Sequence, residues 1–249
     1  MTKFECEAYL LKNVFSALTA ITNEATIHLN KSRIWCCVTD EPKVSMCYFE
    51  LLPKFLQSYT PPEEEEERFT INIVDVSKYI KKLGKKEKVI VEFETDKLRI
   101  KSIEKELHER TFPTFQHIEE AKPISLNYHN RVKITTDAID RVLSRAGTIA
   151  EAVVFELNPD DFIIHLQGNI PSIYYKTTFT KEHESLIKIE CNGKAIAKYG
   201  LIYLSDIFGA CKGITDVVTL EFDNDTPLHI NFAVLFGRLE YWLAPRIEE

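Results

Sequence analysis

Residues 89–100 read VIVEFETDKLRI, and residues 217–230 read VVTLEFDNDTPLHI. Each stretch opens with apolar and β-branched residues, breaks at an acid-rich turn, and resumes as a second apolar run. That is the pattern of a strand, a tight turn and an antiparallel partner. Glu92-Phe93 in the first stretch matches Glu221-Phe222 in the second, 129 residues further on. A second pair of matches lies nearer the start of each half. Glu24-Ala25 opens an apolar run ending at Leu29-Asn30, and Glu151-Ala152 opens one ending at Leu157-Asn158. Two correspondences at nearly one offset, each close to half the chain, point to an internal duplication.

Each half also carries two amphipathic helices set among strands. Helical spacing puts Leu11, Val14, Phe15, Leu18 and Ile21 on one face of the first. Val76, Tyr79, Ile80 and Leu83 line the second, with Asp75 as N-cap and Gly84 as stop. Ile139, Val142, Leu143 and Ala146 line the third behind a Thr136 cap. Leu204, Ile207, Phe208 and Cys211 line the fourth, which should end at Gly213. Strand patterns occupy residues 27–29, 44–51, 69–73, 89–94, 98–102, 153–157, 162–166, 174–179, 187–191, 217–222, 228–234 and 239–243. The order strand, helix, strands, helix, strands occurs twice. It predicts an α+β fold with antiparallel sheets and paired helices on one side. Residues 112–125, FPTFQHIEEAKPIS, have two prolines and no periodicity, so they read as a connector. The expected organisation is an N-terminal domain over 1–112, a connector over 113–125 and a C-terminal domain over 126–249.

Composition excludes several classes. The 249 residues are 45% hydrophobic, enough for packed cores. No stretch approaches the ~20 consecutive apolar residues of a membrane span. The start, Met1-Thr2-Lys3-Phe4-Glu5-Cys6-Glu7, is acidic where a secretion signal is basic and then apolar. An intracellular protein is expected. Cys6, Cys36, Cys37, Cys47, Cys191 and Cys211 form no CxxC pair and read as free thiols. Phosphate-binding glycine loops, HExxH and GxSxG are missing. Asp223-Asn224-Asp225-Thr226 lacks the glycine and glutamate of a calcium loop and reads as a β-turn. The seven histidines form no local cluster. The expectation is no enzyme, no metal and no cofactor.

The formal net charge is −7, but its distribution is uneven. Lys78, Lys81, Lys82 and Lys85 recur at one-face helical spacing on the second predicted helix. Arg141 and Arg145 lie four apart on the third. Lys12 sits off the apolar face of the first. Lys198 and Lys212 flank the fourth, and Lys86 follows the second. Setting these ten aside takes the remainder from −7 to −17. A single such lysine reads as part of a solvated face. Four predicted helices of a duplicated fold sharing the bias suit a phosphate backbone. No aromatics interleave with the bases, and no helix shows a base-reading set of Asn, Gln and Arg. The reading is sequence-neutral contact with duplex. Residues 63–67 are five consecutive glutamates, read as a solvated turn.

The C-terminal Tyr241-Trp242-Leu243-Ala244-Pro245-Arg246-Ile247-Glu248-Glu249 resembles the end of the proliferating cell nuclear antigen type of sliding clamp, of archaea and eukaryotes. Asn23-Glu24-Ala25, Asp40 with Lys43-Val44-Ser45-Met46, and Asp225-Thr226-Pro227-Leu228 are similar to further family segments. The resemblance spans essentially the whole chain. It implies two similar domains per subunit and three subunits, same or homologous, closing a ring around duplex DNA. A clamp loader and clients such as DNA polymerase, flap nuclease and ligase are the implied partners, the clients binding through short motifs. The family's client pocket maps onto Lys43, Val44, Met46, Ile118, Pro123, Pro227, Leu243, Ala244, Pro245, Arg246 and Ile247. Its DNA-facing bases map onto Lys12, Lys78, Lys81 and Arg141; Lys82, Lys85, Arg145 and Lys212 join them from the charge pattern. The connector departs from the family in being short and acidic, with Glu119-Glu120. The rival readings are a paralogous, checkpoint-type subunit of a heteromeric ring, and an unrelated α+β enzyme.

Overall fold

The computed structural model describes residues 1–115, 121–147, 150–168 and 173–247. The chain forms two compact units. One holds residues 1–41, 46–123 and 235–238; the other holds 42–45, 124–234 and 239–249. The first half runs β1 (Thr2–Glu7), α1 (Ala8–Thr19), β2 (Glu24–Leu29), β3 (Ile34–Thr39), β4 (Ser45–Leu51), β5 (Ser58–Thr60), β6 (Glu67–Asn72), α2 (Ile73–Ile80), β7 (Lys88–Glu94), β8 (Lys97–Ile103) and β9 (Leu107–Phe115). The second half repeats it: β10 (Asn130–Thr135), α3 (Thr136–Ala146), β11 (Ala152–Leu157), β12 (Asp161–Gln167), β13 (Tyr174–Thr180), β14 (Leu186–Cys191), β15 (Ala195–Gly200), α4 (Leu201–Cys211), β16 (Val217–Glu221), β17 (Leu228–Phe232) and β18 (Gly237–Leu243).

The duplication extends to register. Thr2 and Asn130, Ala8 and Thr136, Glu24 and Ala152, and Ile73 and Leu201 open equivalent elements, 128 residues apart each time. The pairings of the strands that flank the helices recur. β1 lies between β5 and β7 as β10 lies between β14 and β16. β2 lies between β3 and β6 as β11 lies between β12 and β15. All these ladders are antiparallel. α1 packs on α2, and α3 on α4.

Alternation explains which sheet face meets the helices. In β11, Val153, Phe155 and Leu157 are fully buried, while Val154 and Glu156 between them are half-buried. Phe155 sits at the centre of the second core, edge-on to Phe162 at 5.4 Å, Tyr199 at 5.6 Å and Phe222 at 6.1 Å. Replacing Phe155 with alanine should therefore cost about 3–5 kcal/mol, read as a fall in the urea midpoint. One glycine is fixed by close approach: a Cβ on Gly237 would lie 2.0 Å from the Glu50 carbonyl oxygen.

Two expected caps are corrected. Asn72, not Asp75, caps α2, accepting the Asp75 backbone N–H at 2.9 Å. Thr135 precedes α3, and Thr136 is its buried first residue. Asp75 is the third residue of α2 and Thr136 the first of α3, whereas the cap position lies just outside the helix in extended backbone, as Asn72 and Thr135 do.

Candidate functional site

The basic residues gather differently from the predicted ridge. α2 ends at Ile80, so Lys81 is its C-cap and Lys82 and Lys85 lie beyond it. The chain leaves through short-range bonds, Lys82 N–H to Tyr79 O at 3.1 Å and Leu83 N–H to Ile80 O at 3.1 Å. Glu87 then closes the turn by accepting the Gly84 N–H at 2.7 Å. This turn is stitched to the start of α1. Ala8 N–H bonds Glu87 O at 2.9 Å, Tyr9 N–H bonds Lys85 O at 3.0 Å, and Lys12 Nζ donates to Leu83 O. Lys12, Lys81, Lys82, Lys85 and Lys86 thus collect at one end of the α1/α2 pair. All but Lys12 are exposed. Cations there also face the negative end of the α2 dipole.

The helices themselves are not basic. Lys12, Lys78, Arg141 and Arg145 are balanced by Asp75, Asp137, Asp140 and Asp206. Lys78 meets Asp75 at 3.3 Å, Arg141 pairs with Asp137, and Lys212 meets Asp140 at 3.5 Å. Asp140 stands 128 residues after Lys12, so the repeat places an acid in the second unit where the first has a base. The outward face of α4 shows Ile202, Ser205 and Asp206. Around the helices, the exposed bases therefore cluster at the end of the α1/α2 pair, an arrangement suited to phosphate oxygens rather than base edges.

The predicted partner-binding residues divide between the units. In the second, the Ala244 N–H bonds Val44 O at 2.8 Å, and the Arg246 N–H bonds Lys198 O at 2.7 Å. The Arg246 guanidinium meets Glu151 at 3.2 Å. Tyr128 donates its hydroxyl to Pro227 O at 2.9 Å. Lys43 holds a left-handed backbone at φ 57°. Leu243 is fully buried and pairs with Leu228 in the ladder. Ala244 and Pro245 are half-buried; Arg246 and Ile247 are exposed. In the first unit Met46 is half-buried and Pro123 exposed. Ile118 lies outside the described residues. Pro245 has no N–H, and its two neighbours already use theirs, so this segment has few donors left for strand addition. Its exposed side chains and carbonyls are what it can offer.

One cluster was not foreseen from sequence. His229 Nδ1 lies 2.6 Å from Glu221 Oε2, and its Nε2 lies 3.4 Å from Glu240 Oε2. Trp242 and Tyr128 stack on the imidazole at 4.8 and 6.1 Å. Arg131 Nε donates to Glu221 at 2.7 Å. The His229 hydrogen bond holds the Glu221 carboxyl below its usual range, against the effect of burial. Only the pairing of Glu221 with His229, and of His229 with Trp242, brings these residues together.

No protein-family model matches the chain. A DNA polymerase sliding clamp of Nanoarchaeum equitans is 26% identical over 245 residues, covering 96% of this chain and 97% of that one. DNA polymerase sliding clamp 1 of Pyrobaculum aerophilum is 25% identical over 237 residues, covering 94% of each. The crystal structure of the proliferating cell nuclear antigen of Thermococcus kodakaraensis superposes with a TM-score of 0.90 and 20% identity, over 99% of this chain and 100% of that one. Over its full length this chain is similar in sequence to DNA polymerase sliding clamps. More narrowly, its fold is that of the proliferating cell nuclear antigen.

Proposed function

We propose that the chain is a processivity factor that encircles duplex DNA inside the cell and tethers a DNA polymerase and other replication and repair proteins to it. The role is non-enzymatic. The observation that carries it is the doubled strand-and-helix unit, matched end to end by known sliding clamps. Phosphate contact falls to Lys12, Lys78, Lys81, Lys82 and Lys85 of the first unit, with Arg141, Arg145 and Lys212 secondary because two of these three are ion-paired. Client motifs engage Lys43, Val44, Met46, Ile118, Pro123, Pro227 and residues 243–247. A clamp loader opens and closes the ring.

Three subunits, same or homologous, close that ring. Two strand edges support the reading. Among the described residues, β9 pairs only with β8 over 107–113, and β13 pairs only with β12. Unpaired edges of this length invite a partner strand, and β9 of one subunit against β13 of the next removes both. Phe112 of β9 is buried beside Tyr79 at 6.0 Å in its own unit. Leu107, Phe115 and Tyr174 are the exposed large hydrophobic residues on these two strands. Light scattering at tens of micromolar should give three times the 28.8 kDa chain mass. A monomer that sibling chains convert to a ring establishes a heteromeric clamp. Failure to stimulate a polymerase on long primed DNA, as a ring of either kind, sinks the proposal.

A further inference from the structure

Tyr9 opens the outward stripe of α1. Tyr9, Lys12, Asn13 and Ser16 recur at helical spacing on the face opposite buried Leu11, Val14, Phe15 and Leu18. Tyr9 is 40% exposed. Among the described residues it is the one exposed aromatic on any of the four helices, so the core does not account for its ring. The fold seats it beside the lysines. The Tyr9 N–H bonds Lys85 O at 3.0 Å, the Ala8 N–H bonds Glu87 O at 2.9 Å, and Lys12 Nζ donates to Leu83 O. These bonds fix the first turn of α1 against the turn that carries Lys81, Lys82, Lys85 and Lys86. The acids that flank these residues along the chain are Glu7 and Glu87, and Glu87 accepts the Gly84 N–H at 2.7 Å. Sequence order hides the arrangement, because the ring and the lysines lie more than seventy residues apart.

The second unit has no such arrangement. At 128 residues further on, Asp137 stands where Tyr9 does, Asp140 where Lys12 does and Arg141 where Asn13 does. Arg141 pairs with Asp137, and Asp140 meets Lys212 at 3.5 Å. That stripe is ion-paired and carries no ring. A ring within a basic cluster offers nucleic acid something that lysines alone do not. Lysines neutralise the phosphates of any strand, paired or unpaired. A flat ring stacks on the face of a base. In a duplex that face is covered by the neighbouring base pairs and only edges are presented in the grooves. An unpaired strand exposes it, and aromatic side chains beside basic ones are how proteins hold single strands.

We propose that Tyr9 makes this cluster a site for single-stranded DNA: an unpaired base stacks on the Tyr9 ring while Lys81, Lys82, Lys85 and Lys86 hold the phosphates beside it. The proposal rests on the DNA-facing reading of the lysines given above, and adds to it a preference for an unpaired strand. No base identity is read, since every base has a face on which a ring can stack.

The test titrates the full chain into a short fluorescein-labelled oligothymidylate, and into a labelled duplex of the same length, by anisotropy at low ionic strength. Tyr9→Leu should weaken binding of the single strand about tenfold and change binding of the duplex by less than about twofold. Tyr9→Phe keeps the ring and should hold the single strand as wild type does. Lys82→Glu combined with Lys85→Glu should weaken both ligands, because both present phosphates. Crosslinking gives a measurement that needs no variant. Irradiation of the wild-type chain with an iodouracil-containing single strand should label Tyr9, and irradiation with the same base held in a duplex should not. Equal loss for both ligands in Tyr9→Leu, or loss for neither, overturns the stacking role, as does a crosslink that never falls on Tyr9. Lysine dependence without Tyr9 dependence overturns the stacking role alone and leaves the DNA-facing reading standing. Lysine reversals that change neither ligand overturn the DNA-facing reading itself.

Discussion

Converting Lys78, Lys81, Lys82 and Lys85 together to glutamate is expected to abolish processive synthesis while leaving a folded chain. All four side chains are exposed, and among the described residues only Lys78 of the four has an ion-pair partner, Asp75. Exposed substitutions of this kind cost within about 0.5 kcal/mol each. Lys81 at the end of α2 costs somewhat more, about 0.3–1 kcal/mol, because a glutamate there opposes the helix dipole. The effect on DNA is much larger. The four reversals take the chain from −7 to −15. They do so in a cluster where bases outnumber acids, so a surface that attracted phosphates repels them. Each phosphate that the protein no longer neutralises takes about 0.9 off the slope of log affinity against log salt. The checks are an unchanged native mass, a melting temperature within a few degrees, and replication products no longer than those made without a clamp. Wild-type product lengths from the fourfold variant would show that this cluster does not face DNA. Reversing Arg141 and Lys212 should do far less, since each already has an acid beside it.

The second large effect is expected at the client surface. Met46→Glu should drop the affinity of a clamp-binding peptide from roughly micromolar to undetectable, a loss of a hundredfold or more, which is at least about 2.8 kcal/mol. The half-buried methionine is flexible and polarizable and adapts to several apolar side chains, whereas a carboxylate there has to be desolvated when the peptide arrives. Removal of the tail must begin at Pro245. A deletion that includes Leu243 takes out a fully buried residue of β18 and destabilises the second unit by about 2–5 kcal/mol, which confuses binding with folding. Loss of 245–249 removes the Arg246 bond to Lys198 and the ion pair to Glu151 but spares the ladder. It should cut peptide affinity at least tenfold with the native mass unchanged. Calorimetry that finds both variants binding like wild type places the client site elsewhere.

The duplication and the four helices were legible because each rests on local periodicity. Leu11, Val14, Phe15 and Leu18 repeat at helical spacing, and all are buried as the spacing requires. β1, β3, β5, β10 and β15 were passed over. In TKFECE and IWCCVT every second position is half-buried or exposed, and short strands whose outer positions mix charge, thiol and indole give a faint alternation. The end of α2 was misread for a related reason. Lys81, Lys82 and Lys85 have good helix propensity and helical spacing, so nothing in the local pattern stops the helix before Gly84. What ends it is the anchoring of the turn to α1 through Lys12, Tyr9 and Ala8, contacts that reach more than seventy residues along the chain.

By itself the sequence determined the doubled α+β architecture, the apolar faces of its helices and the terminal segment that carries the likeness to sliding clamps. Only the tertiary structure decided that the basic residues form a cluster at one end of α1 and α2, that Asp140 of α3 meets Lys212, and that residues 128, 221, 240 and 242 surround His229. The physical reason is range. Helical and strand periodicity record which side of an element is apolar, over a few residues. Charge balance and ring stacking depend on which element lies alongside, and that is fixed by strand register between segments tens of residues apart.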